Sequence, residues 1–413
     1  MEYIAGVYLY NMRPIITIFL LFITSAAAYA QTGYVIKGRI THDKTQTPVS
    51  GASIFISNST RGTMSAQDGS FELTDVPTGK HDLVISCIGY STVVYPYTGG
   101  DLPLQVDVKM KRKVSELSTV VVEPDEKDGW KKWGKFFMEN FIGTNLDAQD
   151  CKVLNPEVLR FRFSKKNNTL TVIADEQLII ENQSLGYTIK YQMEEFNYSF
   201  GDRILKFTGY ALFQDKIQGE RLKRRWENSR ERAYAGSIHH FMKSLYNNRL
   251  QEEGFEVRRM YKTPNTEKQR VRNILRESIR QQRETGKRDI AFFSVDSSEY
   301  YNMILRQPDE FQTVLPALLT ADSLLSAGKT PDEKILFFKD FLFIEYKKEY
   351  EEEKYTREIL RSPRQYYQRS TVVLPNLEPI TVNKYGQYAP LFEFILHGYW
   401  AWSEKVASML PLD

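Results

Sequence analysis

Cysteine is scarce: the chain has only Cys87 and Cys151. No CxxC pair or Cys/His cluster exists, so no zinc site can be read from spacing. The two cysteines lie far apart, each in a strand-like context, and two buried free thiols are expected rather than a bridge. Histidine is scarce too, at five residues, and none opens an HExxH pair. His239 and His240 are adjacent; on a helix they point about 100° apart and cannot share one ion from one face, so surface histidines are expected. No GxSxG elbow is present. Ser326-Ala327-Gly328-Lys329-Thr330 ends like a phosphate loop, but its first glycine would fall on Ser323. The carboxylate pairs Asp175-Glu176 and Glu194-Glu195 sit in strand-like runs, where neighbours face opposite sides. Excess charge is also missing: the net +3 over 413 residues calls for no polyanionic partner. After the N-terminus no apolar run is long enough to span a bilayer, so no transmembrane span is expected in a mature chain.

What is present begins with targeting chemistry. Arg13 precedes the apolar run Ile15 to Ile23, small residues follow, and Ala28-Tyr29-Ala30 reads as an A-x-A cleavage site. Cleavage between Ala30 and Gln31 is expected, with residues 1–30 as a signal peptide; Met12-Arg13 would be a more typical start than Met1. No cysteine near that point offers a lipid anchor.

From Gly38 to Tyr90 the apolar residues alternate. Val49, Ala52, Ile54 and Ile56 form one run, Phe71 and Leu73 the next, Leu83, Ile85 and Cys87 a third. Asn58 to Gly62, Asp68-Gly69 and Pro77-Thr78-Gly79 supply turns. Asp-Gly between alternating runs signals a hairpin. Strands are expected at 34–41, 49–57, 61–65, 71–74, 81–87, 91–95 and 104–110, which makes a small β-sandwich over 31–110.

This stretch closely resembles the carboxypeptidase regulatory-like domain, a transthyretin-like sandwich common in Bacteroidetes cell-envelope proteins. Gly38-Arg39-Ile40, Pro48, Gly51-Ala52-Ser53-Ile54, Gly62-Thr63, Asp68-Gly69-Ser70-Phe71, Val76-Pro77-Thr78-Gly79 and Ile88-Gly89-Tyr90 carry the match. The resemblance implies an accessory module without catalytic residues, located in the periplasm or at the outer membrane or cell surface. The HxxE pair of zinc carboxypeptidases is absent. The segment Val114 to Pro124 is similar to one that follows this sandwich in TonB-dependent transporters, and association with such a transporter is a candidate role. The 289 residues beyond Pro124 are too few for a barrel of about 22 strands. A linker over 111–127 is the plainer reading.

Residues 128–413 read as an α+β domain, an antiparallel meander with inserted helices. Trp130, Trp133, Phe136, Phe137 and Phe141 recur at helical spacing, a buried face stopped by Gly143. Residues 151–213 alternate as strands, with a turn at Asn167-Asn168. Lys216 to Arg232 is a charged amphipathic helix carrying Leu222 and Trp226 on one face. Ser237 caps a helix with Ile238, Phe241, Met242 and Leu245 inward, and Gly254 fits its C-terminal cap. A helix near Asn265 to Glu284 turns Val271, Ile274, Leu275 and Ile279 inward; the cations from Arg258 to Arg288 make a solvated basic face. Phe341 to Tyr346 leans to strand despite a capping box at Thr330 to Glu333. Glu349 to Arg364 is a solvated charge run, Thr371 to Leu374 and Ile380 to Val382 are strands around Pro375-Asn376, and Leu391 to Met409 is an amphipathic helix. No catalytic, cofactor-binding or metal residue is assigned. The reading is a non-enzymatic exported envelope protein holding a protein or glycan partner, with no role in nucleic-acid binding. The alternative is a glycan- or peptide-acting hydrolase with its site in 128–413.

Overall fold

The computed structural model describes residues 33–113, 123–217, 219–285, 295–390 and 394–413. The expected cleavage point Ala30/Gln31 and most of the segment 114–124 lie outside the described residues. Two compact units divide near residue 116.

The first unit holds the seven expected strands: β1 Tyr34–His42, β2 Ser53–Ile56, β3 Gly62–Met64, β4 Ser70–Val76, β5 His81–Ser86, β6 Val93–Tyr97 and β7 Leu104–Met110. They form a three-stranded sheet, β4-β1-β7, and a four-stranded sheet, β3-β2-β5-β6. β1 and β7 run parallel. Ile36, Ile40, Val106 and Val108 from one sheet meet Ile54, Ile56, Leu83 and Ile85 from the other in one buried core. Alternation selects that face because successive strand residues point to opposite sides. Gly38 lies where β1 and β7 touch most closely, and a Cβ there would stand 1.8 Å from the Val106 carbonyl.

The Asp68-Gly69 turn corrects the sequence reading. It does not close a hairpin: β3 pairs with β2, and β4 pairs with β1. The turn chemistry is as expected, with Gly69 at φ +78° and Asp68 accepting from the Ser70 amide at 3.0 Å. However, the Ser65 hydroxyl donates to the Val49 carbonyl and accepts from the Ala52 amide. That anchors the end of β3 to its own sheet, and the chain crosses to the other.

The second unit is α+β. Its first sheet contains β8 Cys151–Val153, β9 Leu159–Ser164, β10 Thr169–Ala174, β11 Leu178–Asn182, β12 Tyr187–Ser199 and β13 Ile204–Asp215. Every pairing is antiparallel, yet the order is β8-β11-β12-β10-β9 with β13 along the other edge of β12. The long β12 thus carries β11 on its first half and β10 on its second. Helix α1, Gly129–Phe141, covers this sheet. Phe137 and Phe141 are fully buried against Phe161, Phe196 and Tyr191, whereas Trp130 at the helix start is 38% exposed. Burying each large aromatic there contributes about 2–3 kcal/mol.

Two helices lead onward: α2, Glu220–Tyr234, and α3, Ile238–Tyr246. The Ser237 hydroxyl accepts from the His240 amide at 3.1 Å and caps α3 as expected. Then come β14 Phe255–Pro264, α4 Thr266–Thr285, α5 Val295–Arg306, β15 Glu310–Leu318, α6 Ala321–Leu324, β16 Leu325–Ala327, β17 Glu333–Leu336, β18 Phe341–Tyr350, β19 Tyr367–Val373, β20 Ile380–Asn383, β21 Tyr388–Ala389, β22 Ile395–Gly398 and α7 Tyr399–Ser403. They build a five-stranded sheet, β15-β14-β18-β19-β22, and a four-stranded sheet, β16-β17-β20-β21. Phe241, Met242 and Leu245 of α3 share a core with Leu342, Ile344, Val372, Ile380 and Val382.

Several expectations in this region fail for physical reasons. Arg258 to Lys262 belong to β14, not to the basic helix, because Val257 and Met260 are needed in the sheet core. On α4 Val271 is fully covered, but Ile279 is 53% exposed, since the helix runs on past the surface that receives Val271. Gly254 takes φ +93° but lies beyond the end of α3, where it turns the chain into β14. β19 and β20 do not pair around Pro375-Asn376; they join different sheets. Leu391 to Met409 is not one helix: β22 pairs with β19, and Gly398 at φ +75° breaks the chain into the five-residue α7. The run Glu349 to Arg364 is not simply solvated, because Glu351, Tyr355 and Thr356 are buried.

Candidate functional site

The residues singled out in the sequence are not brought together. Asp175 is bonded by Arg160, and Glu194-Glu195 lie at a register shift where β12 meets β13. His239 and His240 are not surface residues. The His239 ring bonds the Tyr385 carbonyl at 2.7 Å, while His240 is buried and faces Glu253 at 3.5 Å. Burial pushes both imidazoles below their usual pKa. Both thiols are free, Cys151 buried and Cys87 half-buried. The α4 cations are largely tied: Arg270 to Glu267, Arg272 and Lys268 to Asp309, Arg280 to Glu277. Among the described residues no group of three or more His, Cys, Asp or Glu is placed to hold a metal ion. No helix there is long and apolar enough to cross a membrane, which says nothing of a β-barrel.

Polar side chains converge elsewhere, in a cleft of about 310 Å³ inside the second unit. That volume is at the small end of the range for small-ligand sites. Its walls come from the loop after α1, the α2–α3 junction, the end of β18 and the α7 region. Helix α2 is fixed by its inward face. The Trp226 indole donates to the Gln183 carbonyl at 3.0 Å, and the Arg230 guanidinium lies 3.8 Å from the Tyr187 ring centre. Arg230 also donates to the Leu185 carbonyl and to Asp215. With that face pinned, Arg232 points into the cleft.

Arg232 donates to Asp147 at 2.7 Å, and the Ser184 hydroxyl donates to the same oxygen at 2.7 Å. Asp147 is buried, so its charge needs both partners. Glu352 accepts from the Leu146 amide at 3.0 Å, and Glu349 accepts from the Gln368 amide group at 3.1 Å. Burial raises both glutamates above the usual carboxylate range; Arg232 opposes this in each case without overcoming it. Glu404 accepts from the Ile238 amide at 3.1 Å, and burial pushes its carboxyl up to about 7. Asn145 donates to the Ser408 hydroxyl and the Ser403 carbonyl. The arrangement offers one guanidinium, several buried carboxyls, and amides and hydroxyls at fixed positions. Such a set can bond a ligand rich in hydroxyl groups.

A wider groove of about 930 Å³ shares Leu146 and Arg232 with this cleft and is lined by the outer face of α2. The charged amphipathic period of α2 was legible in the sequence. The acidic wall was not, because Glu349 and Glu352 sit in a run whose local pattern indicates only charge.

A search among curated proteins finds no match. Solved structures give weak likenesses. A cohesin–X-dockerin complex from Acetivibrio cellulolyticus is 20% identical over 19% of this chain and 58% of that one, at TM-score 0.18. The chain therefore spans less than two thirds of that relative. A putative carbohydrate binding protein from Bacteroides uniformis is 11% identical over 44% of this chain and 78% of the other, at TM-score 0.16. A putative membrane-associated protein of unknown function from Bacteroides fragilis is 10% identical over 89% and 95%, again at 0.16. None of these likenesses carries an argument about function. Residues 36–122 match the CarboxypepD_reg-like domain, the family that the motifs of the first unit point to.

Proposed function

We propose that the protein is a non-enzymatic, exported envelope protein in which the regulatory-like sandwich is an accessory docking module. The second unit holds a partner, and a glycan fits it better than a protein. The observation that carries this reading is the cleft at Arg232, where amides, hydroxyls, a guanidinium and carboxyls converge beside the rings of Tyr350 and Tyr399. The N-terminal charge, apolar run and A-x-A pattern support export to the periplasm or outer surface.

One observation favours hydrolysis as a second reading. Glu404 lines the cleft with its carboxyl raised to about 7, so it holds a proton near neutral pH, as a general acid must. The test uses the chain from Gln31 onward, immobilised and exposed to oligosaccharides released from bacterial envelopes. Retention of intact oligosaccharide, lost in Arg232→Ala with the melting temperature checked, supports the binding reading. Shortened products that vanish in Glu404→Gln replace it with the hydrolase reading.

A further inference from the structure

The outer face of α2 carries Arg221, Arg224, Arg225, Asn228 and Arg232, at i, i+3, i+4, i+7 and i+11. These positions share one side of a helix and extend over about 16 Å at 1.5 Å per residue. They form one wall of the 930 Å³ groove, faced by Gln149, Asp150 and Ser184. The cations are unequally engaged. Arg232 is held by Asp147 at 2.7 Å, and Arg225 meets Asp150 only at 3.9 Å. Among the described residues no ion pair holds Arg221 or Arg224, although Glu220 and Glu227 lie on the same helix. On α4 Arg270, Arg272 and Arg280 have carboxylate partners, while among the described residues no ion pair holds Arg276 or Arg283; those two do not line the groove.

Three features narrow the ligand. Unpaired guanidinium forks match oxyanions such as carboxylate or sulfate in a bidentate way. Among the described residues the groove presents no aromatic ring, so it lacks the stacking platforms of single-stranded nucleic-acid sites. Among the described residues Leu146 is its one apolar side chain, so it also lacks the buried anchors of a protein interface. Beside the carboxylates of Asp150 and Glu220, the rest of the lining is amide and hydroxyl groups from Gln149, Asn228, Ser184 and Ser229, which suit sugar hydroxyls. Arginines one turn apart, about 5.4 Å, match the length of a single sugar unit. We propose that this groove binds an acidic oligosaccharide along α2, with the carboxylate or sulfate of one sugar paired to Arg221 and that of the next paired to Arg224 and Arg225, one turn on. The proposal rests on the reading of the second unit as a glycan holder and names the class of glycan.

Calorimetric titration of the chain from Gln31 onward tests it. The probes are an oligogalacturonate, a sulfated oligosaccharide, a neutral oligosaccharide of equal length, a single-stranded DNA of equal charge, and inorganic sulfate. One acidic oligosaccharide is expected to bind at least tenfold tighter than the neutral one and than sulfate, and to weaken as salt rises; which of the two wins assigns carboxylate or sulfate. Arg221→Gln with Arg224→Gln should weaken that binding at least tenfold with an unchanged melting temperature. Arg276→Gln with Arg283→Gln, the same charge loss on α4, should leave it within twofold. Equal loss in both variant pairs, tighter binding of DNA, or affinity no better than that of sulfate overturns the proposal. Neutral glycan bound as tightly as acidic glycan overturns it while leaving the glycan-holding reading standing. No binding of any oligosaccharide, envelope-derived ones included, overturns both.

Discussion

Replacing Glu404 by Gln isolates the cost of the buried carboxyl in the cleft. The folded carboxyl titrates near 7 against 4.5 for the free group, chiefly because burial disfavours its charge. Between those values the folded chain keeps a proton that the unfolded chain has released. Stability therefore falls as pH rises from 4.5 to 7 and stays reduced above. At about 1.4 kcal/mol per unit the full shift is worth about 3 kcal/mol. Because the side chain keeps partial exposure, the observable part is ~1–3 kcal/mol. Glutamine keeps the shape and an oxygen for the Ile238 amide but never ionises. Neighbouring Lys405, whose ammonium burial depresses to about 8, loses a favourable charge in the variant, which offsets part of the gain at high pH. Denaturant unfolding of both chains at pH 5 and pH 8 measures the difference. The variant should gain on the wild type by at least about 1 kcal/mol between the two pH values. A difference that is flat, or that falls with pH, refutes the account of a desolvated carboxyl at that position.

Two further outcomes follow from packing. Gly186 has φ +74°, and a Cβ there would stand 2.2 Å from the Trp226 ring. Gly186→Ala should cost about 2 kcal/mol or more and loosen α2, read as a lower denaturant midpoint and altered tryptophan fluorescence. Burial pushes the Cys151 thiol up to about 12 and raises Cys87 as well. In the native chain at pH 8 both should react slowly with a thiol reagent, Cys87 faster than Cys151; equal fast reaction would contradict the burial described.

The first unit was legible because its signals are local. Period-two alternation and turn residues such as Gly69 and Gly79 lie within a few positions of the strands they bound, and β1 to β7 fall within a few residues of their expected ends. Which strands pair is a longer-range matter, and Ser65 decided it against the hairpin. In the second unit α1 and α3 were read correctly from apolar spacing. The run Glu349 to Arg364 was not, because its neighbours come from elsewhere in the chain: Glu351 is covered beside Arg369, and Glu352 bonds the Leu146 amide. A local charge pattern cannot show which members another segment will bury. Likewise Leu391 to Met409 has the composition of an amphipathic helix, yet pairing with β19 claims Ile395 to Gly398 as strand. The cleft is built from such long-range placements, so only its α2 wall had a sequence signature.

The claim that the second unit holds the ligand at the α2 face is tested most directly by hydrogen–deuterium exchange on the chain from Gln31 onward, with and without a saturating oligosaccharide. Protection is predicted in residues 145–150 and 220–237, with residues 33–113 unchanged. Protection confined to residues 33–113, or none in either region at saturation, would contradict it.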